Sequence, residues 1–363
     1  MAFKTLYLAI SGHGFGHAGQ VAPVVAGLRA RFPGLSVVIR TTVPRGIIET
    51  LFGPDVHIMT GVSEPVIQMR GPLDVDVAAT WQEYADYHRE LRVHVGEEET
   101  RIRDADADLV LTDVPYVPIA AARDIGVPAI ALCSLNWADV LEHYLPVRDA
   151  QVERLVAEIR ACYREAERFI TPTPSMPMRG LGNLERVGPI ARLSTARPGE
   201  LRMRLPQTEG KWIVLATMGG VTGGTNASCF PRMEGCHWVV PDRLAPSCRL
   251  DVTPISRAGM PFLDVLAGAD VVLTKPGYGT FVEAACHGIP VVYVERDDWP
   301  ESAALEAWLA NHGVAVRVAH AEYAKGEVVN AIRVATSRVP APRIVPTGVD
   351  EAVARIIESV TGL

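Results

Sequence analysis

Residues 5–17 read Thr5-Leu-Tyr-Leu-Ala-Ile-Ser-Gly-His-Gly-Phe-Gly-His17. A short apolar run, Leu6–Ile10, passes straight into a turn with three glycines and two histidines, and a helix-like stretch follows over Val21–Phe32. Strand, glycine turn and helix, in that order, is how doubly wound α/β domains build a ligand site at the carboxyl edge of a parallel sheet. Glycines let the backbone approach a ligand closely. The helix start supplies free N–H groups and a partial positive charge. The two histidines set this turn apart from a dinucleotide loop. A histidine that titrates near neutrality can take a proton from an attacking hydroxyl. His17, at the turn-to-helix junction, is the candidate base. His13, Gly14, Phe15 and Gly16 are candidates to hold substrate.

Outward from this loop, strand and helix signals alternate. Strands are expected at Ser36–Thr41, Val56–Met59, Leu109–Asp113 and Pro128–Leu132, with a last one at Phe169-Ile170. Helices are expected at Arg45–Leu51, Pro118–Ile125 and Val147–Arg168, and a long charged one, read as a solvated outer helix, over Trp81–Asp104. Residues 60–80 read as a long loop. Short apolar strands between helices argue for a parallel sheet covered on both faces. Asp113 ends an apolar strand at the same edge as the first loop and is the candidate to orient His17. The strings Asp74-Val-Asp76 and Asp104-Ala-Asp106-Ala-Asp108 resemble metal-binding patterns but lack supporting ligands, and no metal site is assigned.

The second half repeats the plan. Lys211–Thr217 reads as a strand running into Met218-Gly219-Gly220, and Val271–Lys275 as another running into Pro276-Gly277-Tyr278-Gly279-Thr280 and a helix. Gly277 and Gly279 at a helix start suit a diphosphate, and Thr280 can donate to a phosphate oxygen or cap the helix. Glu283, one turn on, can accept from ribose hydroxyls. Gly219 and Gly220 could close over phosphates from the neighbouring strand. Asp297, Asp298 and Glu301 follow a strand and open a helix, where acids can accept from sugar hydroxyls. Composition shifts to proline and arginine around 188–210, the expected boundary. The expected organisation is therefore two Rossmann-like domains facing each other across a cleft, at 1–195 and 196–345, with a helix over 346–363 that can cross back to the first.

The chain has 363 residues, 48% of them hydrophobic, and a net charge of −7. That size fits two domains, and that charge argues against a general nucleic-acid surface. No apolar run is long enough for a membrane span. Six scattered cysteines without a CxxC pair fit a reduced, cytoplasmic setting and no structural zinc.

With these residues in view the chain resembles a GT-B glycosyltransferase along nearly its whole length. Gly16-His17-X5-Pro23 resembles the acceptor-side loop of transferases of the peptidoglycan N-acetylglucosaminyl transferase type. Thr274-Lys275-Pro-Gly-Tyr-Gly-Thr-X-X-Glu283-Ala-X-X-X-Gly288-X-Pro290 resembles their donor-side signature. The set Gly12–Ala18, Thr112-Asp113-Val114, Asn136-Trp137, Lys275–Glu283 and Arg296-Asp297 resembles the glycosyltransferase-like N-terminal domain of plant L-arabinokinases and its free-standing bacterial relatives. The resemblance implies His17 as base, Asn136 and Trp137 on the acceptor side, and Lys275, Gly277, Tyr278, Gly279, Thr280 and Glu283 around a nucleoside diphosphate. It implies a nucleotide-sugar donor, a UDP-sugar first among them, no further cofactor or metal, and a small-molecule or lipid-linked acceptor. It does not imply arabinose phosphorylation. A single glutamate on the donor helix, rather than two spaced seven residues apart, favours inversion. A nucleotide-sugar epimerase and a non-catalytic nucleotide-sugar binding protein share the architecture and stand as rivals.

Overall fold

The structure is a computed structural model that describes residues 3–60, 64–145, 149–219, 229–246, 248–339 and 341–361. The chain divides into two compact units, one of residues 1–68, 75–190 and 347–363, the other of residues 69–74 and 191–346.

The first unit runs β1 (Thr5–Ile10), α1 (Gly16–Arg31), β2 (Ser36–Thr41), α2 (Arg45–Phe52), β3 (His57–Met59), α3 (Val77–Arg89), α4 (Leu91–Asp104), β4 (Leu109–Thr112), α5 (Val117–Ile125), β5 (Ala129–Leu132), α6 (Trp137–Tyr144), α7 (Ala150–Arg164), β6 (Arg168–Pro172) and β7 (Leu184–Val187). The second runs α8 (Glu200–Arg204), β8 (Trp212–Ala216), β9 (Cys236–Val240), β10 (Val252–Pro254), α9 (Phe262–Gly268), β11 (Val271–Thr274), α10 (Tyr278–His287), β12 (Val291–Val294), α11 (Ser302–His312), β13 (Ala315–Val318), α12 (His320–Ala324) and α13 (Val329–Ser337). The chain then returns to the first unit as α14 (Gly348–Thr361).

Both sheets are wholly parallel. The first is ordered β3-β2-β1-β4-β5-β6-β7 and the second β10-β9-β8-β11-β12-β13. In each, the strand order reverses beside the unit's first strand, between β1 and β4 and between β8 and β11. Ligands of open α/β sheets bind at that reversal, beyond the carboxyl ends of the strands. The four turns singled out in the sequence, after β1, β4, β8 and β11, are the four that leave these two seams.

Strands β1, β4, β5, β11 and β12 are buried along essentially their whole length, which is why they read as unbroken apolar runs. Alternate residues of β1 (Leu6, Leu8, Ile10) join a core with α1 and α14, where Ala352, Val353 and Ile356 are buried. A side chain at Gly27 of α1 would come within 2.8 Å of Val353, so the glycine lets the two helices close up. The return of α14 rests on a second close approach. A Cβ on Gly348 would lie 2.0 Å from the Gly188 carbonyl oxygen, while Gly348 N–H donates to the Pro189 carbonyl at 3.0 Å and Glu351 accepts from Gly188 N–H at 2.9 Å. Only a residue without a side chain fits that backbone crossing.

Four details differ from the expectations. Helix α1 begins at Gly16, five residues before the expected Val21, with Pro23 inside it. The helix runs on through a proline, which lacks the N–H that would otherwise bond the Gly19 carbonyl. The long charged helix is two helices, α3 and α4, parted at Glu90. It is not merely solvated either. Glu98 is fully buried, accepting from Tyr7 Oη at 2.9 Å and pairing with buried Arg40 at 2.9 Å. Finally, β7 pairs with β6 in parallel where no strand was expected. The aspartate strings serve structure: Asp76 caps α3 through Ala79 N–H, and Asp108 accepts from the N–H groups of Lys4 and Thr5.

Candidate active site

In the first unit, β1 and β4 lie side by side with Ala9 opposite Thr112. The residues that follow each strand therefore emerge together. Asp113 is fully buried and His17 almost so. The N–H groups of Ser11 and Val114 both donate to Asp113 Oδ1, the first at 3.4 Å. That fixes the carboxyl group and leaves Oδ2 3.3 Å from His17 Nδ1. Cys133 Sγ, just past β5, lies 3.8 Å from the same nitrogen. With Nδ1 engaged on this inner side, Nε2 is the ring nitrogen left for a substrate.

Burial works on both partners. It pushes His17 down to about 4, and it pushes Asp113 up to about 8 against the two N–H groups that favour the carboxylate. The imidazole is therefore neutral at neutral pH, the form that can accept a proton. At 3.3 Å the two groups titrate as a pair rather than singly.

Around His17, the ring of His13 lies 6.3 Å away and that of Trp137 5.8 Å away, centroid to centroid, with His13 and Trp137 5.5 Å apart. Trp137 is 1% exposed, and its N–H donates to Tyr163 Oη. Asn136 is fully buried and caps α6, accepting from Asp139 N–H at 2.9 Å and donating to Asp139 Oδ2 at 3.1 Å. Of the two, Trp137 packs against both histidine rings. Gly14, Phe15 and Gly16 turn the chain into α1, where Phe15 is 41% exposed and no side chain caps the helix.

In the second unit, β8 leads to Gly219 and β11 to Lys275. Gly219 has φ +75, a backbone state that favours glycine, and a Cβ there would lie 3.5 Å from Lys275 Cε. Gly220 lies outside the described residues. Gly277 precedes α10 in an extended conformation, and no side chain caps that helix, Thr280 included. A helix start of this kind is suited to an anion. Burial, with Arg296 nearby, lowers Lys275 to about 7, against the opposing pull of Glu301. Gly279 and Thr280 lie in the first turn of α10, while Tyr278 is buried in the core beneath.

Glu283, in the second turn of α10, is buried and pairs with Arg192 Nη2 at 3.2 Å. Burial raises its pKa and Arg192 opposes the rise. The three acids expected to meet a sugar are differently placed. Asp297 is exposed, with both oxygens 2.7 Å from Arg317 Nη2 on β13. Asp298 is exposed. Glu301 is buried, 3.4 Å from Trp299 Nε1, and Arg296 stacks over the Trp299 ring at 4.0 Å. Among the described residues no group of three or more His, Cys, Asp or Glu side chains could hold a metal ion.

No family model matches the chain. It is 26% identical over 342 residues to the L-arabinokinase of Arabidopsis thaliana, matching 88% of this chain and 31% of that protein. The chain thus spans about a third of the length of that relative. It is 25% identical over 294 residues to an uncharacterized glycosyltransferase of Methanopyrus kandleri, matching 74% of this chain and 80% of that one. Among solved structures, the kitacinnamycin glycotransferase superposes with a TM-score of 0.63 at 15% identity, covering 99% of this chain and 95% of its own. The fold is GT-B. A protein described as a UDP-N-acetylglucosamine 2-epimerase, from Listeria monocytogenes, superposes with a TM-score of 0.59 at 12% identity, covering 100% and 98%.

Two residues of this GT-B chain escaped the sequence reading. Cys133 gave no signal, being one apolar residue among many after a strand. Arg192 stood in a stretch noted only for its prolines and arginines. Nothing in the sequence sets it apart from Arg186, Arg197 and Arg202 around it.

Proposed function

We propose that the chain is a glycosyltransferase that moves a sugar from a nucleoside diphosphate to an acceptor hydroxyl, with inversion and without a metal. The observation that carries the reading is the His17–Asp113 pair, buried at the strand-order reversal with Nδ1 and Oδ2 3.3 Å apart. In the proposed step the acceptor O–H gives its proton to His17 Nε2. Its oxygen attacks the anomeric carbon, and the bond from that carbon to the diphosphate oxygen breaks. Asp113 stabilises the imidazolium through Nδ1. One displacement at one carbon inverts it. The second unit holds the donor: the α10 start and Lys275 meet the charge growing on the leaving diphosphate, the task that falls to a cation or helix N-terminus in such transfers. Gly219, Gly277, Gly279 and Thr280 line that place, and Glu283 takes the ribose. Asp298 and Glu301 are the acids proposed to meet the donor sugar, and Phe15 with His13 to meet the acceptor.

The likeness to glycosyltransferases supports a nucleotide-sugar donor, a UDP-sugar first. The acceptor is a small molecule or a lipid-linked one. No helix among the described residues is long and apolar enough to cross a membrane. Six free cysteines support a reducing, cytoplasmic setting. Turnover of a nucleotide-sugar with an acceptor panel, in wild type, His17→Ala and Glu283→Ala, tests the reading; full activity in both variants overturns it. The epimerase-like neighbour motivates a second reading. Donor incubated alone and followed by NMR separates the two, since an epimerase converts it without acceptor.

A further inference from the structure

We infer that Arg192 and Glu283 act as one unit that reads a ribose hydroxyl of the donor, Glu283 accepting a hydrogen bond from the hydroxyl and Arg192 Nε–H donating one to its oxygen. The inference rests on the donor-site reading above and adds the residue that makes it selective for a ribonucleotide.

Arg192 is held in place by its neighbours. His287 of α10 donates from Nδ1 to the Glu283 carbonyl at 2.7 Å and accepts at Nε2 from Ser194 N–H at 2.9 Å. Ser194 Oγ donates to Asp264 Oδ1 of α9 at 2.5 Å and accepts from Ala196 N–H. The segment carrying Arg192 is thus laced to α9 and α10. One corner of the guanidinium, Nη2, donates to Glu283 Oε1 at 3.2 Å. Another, Nε, is buried and has no hydrogen-bond partner among the described residues. Buried donors are nearly always paired, so an orphan of this kind calls for a partner that arrives with a ligand.

The chemistry of the pair selects that partner. A phosphate oxygen could accept from Nε–H but would stand against the Glu283 carboxylate. A base carbonyl could accept but has no proton for the carboxylate. A hydroxyl does both, donating to Glu283 and accepting from Arg192. Position agrees: Glu283 lies five residues past Tyr278 on α10, about 7.5 Å along the helix axis from its start. A nucleotide whose diphosphate sits at the α10 start would bring its ribose there.

The test is calorimetric titration of UDP, GDP, ADP and CDP, each beside its 2′-deoxy counterpart, on wild type and Arg192→Lys. Arg192→Gln serves as second variant, and circular dichroism checks the fold of each. Lysine keeps the positive charge beside Glu283 but not the Nε–H of the fork. Wild type is expected to favour the best-bound ribonucleotide over its 2′-deoxy form by about tenfold or more, the loss of one well-made hydrogen bond to a charged group. In both variants that preference should fall to within about threefold, with affinity for the 2′-deoxy form little changed. A preference that survives both substitutions overturns the inference. So does an equal loss for the two forms, which would make Arg192 a contact to phosphate or a packing residue. If wild type binds none of the nucleotides, the donor-site reading fails, and this inference fails with it.

Discussion

His17 Nδ1 and Asp113 Oδ2 lie 3.3 Å apart although 95 residues separate them in sequence, because β1 and β4 are neighbours at the strand-order reversal of the first sheet. The acid is pinned by two backbone amides and the imidazole is braced by Trp137. His17→Ala is expected to lower kcat by about 10²–10⁴-fold, the usual worth of a positioned base. Nucleotide affinity, a property of the other unit, should stay unchanged. Asp113→Asn should also lower kcat, since an amide does not stabilise the imidazolium. Steady-state rates and nucleotide titrations on the two variants check both statements.

The same pair sets a pH dependence. A general base acts only when unprotonated, and burial holds His17 well below its ordinary value, at about 4. The acid limb of kcat should therefore lie below the usual histidine range. Activity should not halve near the ordinary histidine value of about 6.5. A pH–rate profile at saturating substrate reads this directly.

Lys275 predicts the opposite sign on the donor side. Its pKa, lowered to about 7, should rise when an anionic diphosphate arrives. Binding then takes up a proton above neutrality, and affinity should weaken as pH climbs from 7 to 9. Titrations in two buffers of different ionisation enthalpy measure that uptake, and Lys275→Met should abolish it while weakening binding by about tenfold.

Much of this was legible in the sequence, and the misses share a physical cause. The two seams were readable because buried parallel strands must be apolar throughout and glycines must follow them. The pairing of His17 with Asp113 was readable because Asp113 directly follows one apolar strand and His17 closes the turn that follows another. The start of α1 was not, because Gly16 and Gly19 argue locally for a loop, and only packing of the helix against β1 and α14 overrides them. The burial of Glu98 was not, because its partners Tyr7 and Arg40 come from strands far away in sequence. Asp297 reads as a free acid until β13 brings Arg317 to it. In each case the deciding neighbour is distant in the chain.

Glu98 carries its own consequence. Glu98→Ala removes the buried carboxylate that pairs with Arg40 and accepts from Tyr7, and such a break should cost about 3–5 kcal/mol of stability. Urea unfolding compared with wild type measures the loss.

Gly348→Ala should be destabilising too, by about 1–3 kcal/mol, because the new methyl group meets the Gly188 backbone rather than a movable side chain. A thermal melt with a lowered midpoint and unchanged far-ultraviolet spectrum would show it. The same change at Gly46 or Gly96, where a side chain would meet no neighbour, is the control.

Transfer from a nucleoside diphosphate requires that the second unit bind one. The measurement is a calorimetric titration of the purified protein with UDP, GDP, dTDP, ADP and CDP, repeated on Glu283→Ala. Micromolar binding of one ribonucleoside diphosphate, lost in the variant and kept in His17→Ala, is the result the account requires. Absence of binding by all five, or binding untouched by Glu283→Ala, would contradict it.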